Sequence, residues 1–138
     1  MGLTMHGANF GVGGGPNHIP EGLLTALSVV AERRHPGVWL ILSEFDPEPR
    51  PDDQGKPQND VVVHAVAFAL QFPADRVAEP QASLRLVSGA SAANRTPAVQ
   101  DIARWWAHGD DVPWLCRYDG LGTLILDKRA TGRIEPGT

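Results

Sequence analysis

The sequence holds a single cysteine, Cys116, so neither an intrachain disulfide nor a cysteine-ligated metal cluster can form. Lysine is nearly as scarce. Arginine supplies all 12 basic residues except Lys56 and Lys128, a bias that fits GC-rich coding before it says anything of function. No basic cluster exceeds Arg33-Arg34 and the net charge is −4. Nucleic acid is therefore not an expected partner, since sequence-independent binding needs several phosphate contacts. No uninterrupted apolar run approaches the roughly 18 residues of a membrane span, so no membrane association is expected. The N-terminus lacks a charged segment followed by an apolar core, which leaves no signal peptide to expect. With the lone cysteine, that points to a reducing cytoplasmic setting, or to a particle assembled there. Met1-Gly2 opens like a myristoylation site, but His6 stands where that motif wants Ser or Thr.

Signatures of chemistry are missing as well. The run Gly11-Val12-Gly13-Gly14-Gly15 precedes a helix, but no Lys-Ser or Lys-Thr follows it. Pro16 stands where the last glycine of a dinucleotide fingerprint belongs, so no nucleotide cofactor is expected. His6, His18, His35, His64 and His108 form neither His-x-His nor His-Glu-x-x-His, and no metal is expected. Ser88-Gly89-Ala90-Ser91 is not a nucleophile elbow. No catalytic residue is assigned on these grounds.

What is present describes an ordinary globular chain. Its 138 residues are 42% hydrophobic and 20% charged. A single domain of this size buries about two-thirds of its unfolded surface and needs no staples. The 15 glycines and 12 prolines predict many turns. Residues 1–18 read as a flexible glycine-rich arm, residues 19–128 as one α+β domain, and residues 129–138 as a polar tail.

The longest apolar stretch, Asp60 to Phe72, organises the rest. Read with a period of two, one face carries Val62, His64, Val66, Phe68, Leu70 and Phe72. The other carries Val61, Val63, Ala65, Ala67, Ala69 and Gln71. A bulky face and a small face predict a strand covered on both sides, with a helix or second layer lying close over the alanines. Val38 to Phe45 is the neighbouring strand. The loop between them, Asp46 to Asn59, holds Pro47, Pro49, Pro51 and Pro57, which predict an extended polyproline-like path.

Pro20 to His35 reads as the first helix, with Leu23, Leu24, Leu27, Val30 and Ala31 as its apolar stripe and Arg33, Arg34 and His35 in its last turn. Gln81 to Ser88 is a strand with one wet face. Thr96 to His108 is the second helix, capped by Thr96, opened by Pro97 and ended by Gly109. Asp119-Gly120 predicts a two-residue primed turn. That turn sets Tyr118 opposite Leu121, Cys116 opposite Thr123 and Trp114 opposite Ile125. The order helix, strand, strand, strand, helix, strand, strand predicts a mainly antiparallel sheet of about five strands with both helices on one face.

Candidate partner-binding residues come from two places. Asp46, Glu48, Asp52 and Asp53 gather carboxylates in the proline loop, which suits a basic partner, and Asp110-Asp111 extends them if the second helix ends nearby. Trp105 and Trp106 are adjacent on a helix and differ by about 100° around it, so one of them belongs at the margin of the core, where a tryptophan anchors interfaces. Three readings result. The first is a non-catalytic assembly or protein-binding subunit, self-associating or binding a protein partner. Its element order is similar to that of small subunits of phage tails and connectors. The second is a single-partner inhibitor, such as an immunity protein neutralising a basic toxin. The third is a small enzyme using Cys116 as nucleophile with His64.

Overall fold

Among the described residues two antiparallel sheets, not one, carry five strands. The structure is a computed structural model that describes residue 11 and residues 15–73, 82–89, 97–108 and 112–128. The elements run α1 (His18–Ala31), β1 (Val38–Asp46), β2 (Val62–Leu70), β3 (Ser83–Val87), α2 (Val99–His108), β4 (Trp114–Tyr118) and β5 (Gly122–Asp127). Most of the expected arm, the Thr96 cap, the Gly109 stop, Asp110-Asp111 and the 129–138 tail lie outside the described residues.

β1 and β2 pair in register from Val38↔Leu70 to Asp46↔Val62, as the adjacent apolar runs predict. The second sheet has the order β3-β5-β4. The expected single five-stranded sheet is corrected here, because β3 pairs with β5, from Ser83↔Asp127 to Val87↔Thr123, and not with β2. The helices are not confined to one face of one sheet either. α2 lies on β1 and β2, whereas α1 touches strands of both sheets. Leu42 of β1 therefore shares one core with Ile19 and Leu23 of α1, Val99, Ile102 and Trp105 of α2, and Trp114, Cys116, Leu124 and Leu126 of β4 and β5.

α1 exists because Ile19, Leu23, Ala26 and Val30 recur at helical spacing and are all buried. Gly22 lets it approach β1 closely. A Cβ there would stand 3.0 Å from the Leu42 side chain. The helix ends at Ala31, short of the expected His35. Arg33 adopts a left-handed φ of 54°, and Pro36 disfavours helical geometry at His35. The three basic residues therefore follow the helix instead of occupying its last turn. Arg33 lies over the ring of Phe72 at 4.8 Å.

Side chains secure both ends of α2. Glu44 Oε1 on β1 accepts the Gln100 N–H at 3.0 Å, and Asp101 Oδ2 accepts the Ala98 N–H at 3.2 Å. At the other end Lys128 Nζ donates to the carbonyls of Trp105 (3.0 Å) and Trp106 (2.6 Å) and lies over both rings.

The C-terminal hairpin differs from expectation by one residue. Its loop has three residues, Asp119-Gly120-Leu121, and Tyr118 pairs with Gly122. Leu121 N–H donates to Tyr118 O, and Gly120 has φ 83°, as the third position of a type II turn requires; Asp119 is not in the left-handed region. The slip pairs Cys116 with Leu124 and Trp114 with Leu126, so Leu124 and Leu126 join the core face that had been expected to hold Thr123 and Ile125.

Candidate functional site

The outer face of the β1–β2 pair is apolar and open. Trp39, Ile41 and Phe45 project from β1 with exposures of 70%, 69% and 58%, and Val63 of β2 has 59%. Ser43, Ala65, Ala67 and Ala69 complete the face and are exposed too. The expectation of a layer over the alanines is thus overturned. The helices cover the opposite face, where Leu42 is buried and Leu40, Val66 and Phe68 are partly buried. The reason is volume. The bulky row of β2 interlocks with the helical stripes, and a sheet of two strands with helices on one side leaves its other side bare.

Cross-strand register gives the face its relief. Trp39 pairs with Ala69, Ile41 with Ala67, Ser43 with Ala65 and Phe45 with Val63. Large residues run along β1 and mostly small ones along β2, on strands about 4.8 Å apart. The four large side chains alone expose on the order of 500 Å², comparable to the largest apolar patch of a typical monomer. None of the eight residues is ionisable.

The carboxylates stand at one end of this sheet. Asp46 closes β1, and the chain beyond it folds back on itself. Pro51 bridges to Pro57, Asp52 N–H donates to Lys56 O (2.7 Å), and Gln58 N–H donates to Arg50 O (2.8 Å). That closed turn replaces the expected polyproline path. Asp52 Oδ1 accepts from the N–H groups of Gln54 and Lys56, both at 2.8 Å, so this carboxylate shapes the turn. Asn59 ties the base of the loop through Arg50 N–H and Glu48 O. Glu48 and Asp53 remain exposed. The loop thus presents an ordered acidic rim.

The two tryptophans divide as their helical offset requires. Trp105 is in the core with 9% exposure, its Nε1 donating to Val112 O at 2.7 Å. Trp106 lies at the margin with 38% exposure, edge-on to Phe68.

Cys116 and His64 stand on strands of different sheets. Cys116 is fully buried, and burial pushes its thiol up to about 11, which keeps it protonated and poorly nucleophilic at neutral pH. His64 Nε2 lies 3.8 Å from an Asp46 carboxylate oxygen. Among the described residues no group of three or more His, Cys, Asp or Glu side chains is placed to hold a metal ion. Among them, too, no helix is long and apolar enough to cross a membrane.

Sequence reasoning missed Trp39, Ile41 and Phe45 as surface residues. The signal was their shared parity on β1, opposite a row of alanines too small to need a covering helix. No family model, curated protein or solved structure matches the chain.

Proposed function

We propose that the chain is a non-catalytic assembly or protein-binding subunit that docks through the outer face of β1–β2. The observation that carries this reading is the uncharged apolar surface formed by Trp39, Ile41, Phe45 and Val63. Leaving it in water forgoes about 25 cal/mol for each Å² that docking would bury. Homo-oligomeric particle components, such as phage tail or connector subunits assembled in the cytoplasm, are a class that uses such faces. The acidic rim of Asp46, Glu48 and Asp53, with Trp106 at the margin, would then select partners and set association rates.

The ordered loop supports a second reading, a binder of one basic partner, as an immunity protein is. Its turn is held by its own hydrogen bonds, so Glu48 and Asp53 are presented at small ordering cost. A photo-cross-linking residue placed at position 41 or at position 53 separates the two in cells producing the chain. The first reading expects protein adducts from position 41. Adducts from position 53 alone would transfer the function to the acidic loop.

A further inference from the structure

We infer that the occupant of the outer β1–β2 face is a second copy of this chain, seated about a two-fold axis that runs along the strands between β1 and β2. The inference rests on the docking reading above and names its partner. A symmetric dimer requires a surface complementary to itself, in which residue i touches residue j and j touches i. Rotation about an axis along the strands carries the β1 row of one copy over the β2 row of the other, at unchanged height. The register then fixes the contacts. Trp39 lies over the partner's Ala69, Ile41 over the partner's Ala67, and Phe45 over the partner's Val63.

Each of the three large residues meets a smaller one, and each contact occurs twice. This is the large-against-small interdigitation that sheet-on-sheet packing at about 10 Å needs. Charge adds no obstacle over the face itself, since none of its residues is ionisable. The area is adequate too. On the order of 500 Å² from the large side chains, with the serine and the alanines added, approaches the roughly 800 Å² per partner of a standard interface. An unrelated partner would not require the bulky row and the small row to be matched position by position.

The test is sedimentation of the full-length chain and three variants from about 1 to about 100 µM. The parent is expected to pass from the 14.8 kDa monomer to a species of twice that mass. Ile41→Ala, which removes a knob, weakens association about tenfold. Ala67→Ile fills the trough and also weakens it about tenfold, although it adds apolar surface. The exchange Ile41→Ala with Ala67→Ile restores it to within about threefold of the parent, because knob and trough have only traded strands. Both positions are exposed in the single chain, so all variants should melt within a few degrees of the parent.

A parent that stays monomeric throughout overturns the inference. So does tighter association of Ala67→Ile, which marks an unspecific sticky surface. If the parent is monomeric while position 41 still cross-links to another protein, the docking reading stands and only the second copy fails.

Discussion

Glu44 of β1 accepts the backbone N–H of Gln100, 56 residues further along the chain, and thereby ties the start of α2 to the inner face of the two-stranded sheet. The contact fixes α2 over the bulky row of β2, which leaves the alanine row and its tryptophan, isoleucine and phenylalanine neighbours facing outward.

Removing that tie should loosen α2 without unfolding the C-terminal sheet first. Glu44→Ala leaves a helix N–H without its acceptor and is expected to cost about 1–2 kcal/mol. Glu44→Gln keeps an acceptor oxygen and should cost less, on the order of 0.5 kcal/mol. Urea denaturation of both variants checks the order. Equal stability of Glu44→Ala and the parent would mean that Asp101 alone secures the start of the helix.

The turn can be tested by contrast between its two central residues. Gly120→Val places a branched side chain at φ 83° and should cost about 1–3 kcal/mol. Asp119→Gly should bring no gain, since Asp119 is outside the left-handed region that a two-residue primed turn would impose. A rise in melting temperature for Asp119→Gly would favour the primed turn and the other register.

Burial raises the Cys116 thiol from 9.0 to about 11, and the sign of its pH effect follows. The folded state holds the proton more tightly than the unfolded chain. Its contribution is therefore fully present below pH 9 and is lost as pH rises through 11. The loss amounts to about 3 kcal/mol at most. Chemical denaturation from pH 8 to about 11 should show this decline in the parent and a shallower one in Cys116→Ala. Identical slopes would contradict the burial effect.

An axis along the strands brings like ends of the two copies together, Asp46 and Asp60 at one end and Arg33 and Arg34 at the other. Raising salt from about 0.05 to about 0.5 M should therefore tighten the dimer by a few-fold through screening. Weakening by salt would instead indicate an axis across the strands, with opposite charges meeting.

The local features were largely legible in the sequence. The stripe Leu23, Leu27 and Val30 marks α1, the apolar runs at Val38 and Val62 mark β1 and β2, and the offset of Trp105 from Trp106 puts one at the margin. Each rests on the period of a single element or the pairing of adjacent ones. What failed depends on contacts between elements distant in sequence or on a single turn residue. Periodicity does not reveal that β3 joins β5 and not β2, since either pairing satisfies the alternation of Leu84 and Leu86. The hairpin register depends on one backbone angle at Asp119, and an error there exchanges the two faces of β5. The exposed apolar face was hidden because Trp39, Ile41 and Phe45 are residues that sheets bury, and only the place of the helices shows that nothing in the described chain lies over them.

Because Cys116 is buried and protonated, a cysteine placed at position 43, exposed on the same face, is the readily labelled thiol of the folded chain, and its reaction rate reports directly on that face. The decisive measurement is the labelling rate of Ser43→Cys, a near-isosteric change that leaves the Ile41 knob in place, as a function of protein concentration. The account predicts rapid labelling at about 1 µM and a several-fold slower rate at about 100 µM, as second copies cover the β1–β2 surface. A rate independent of concentration, with the fold intact, would contradict it.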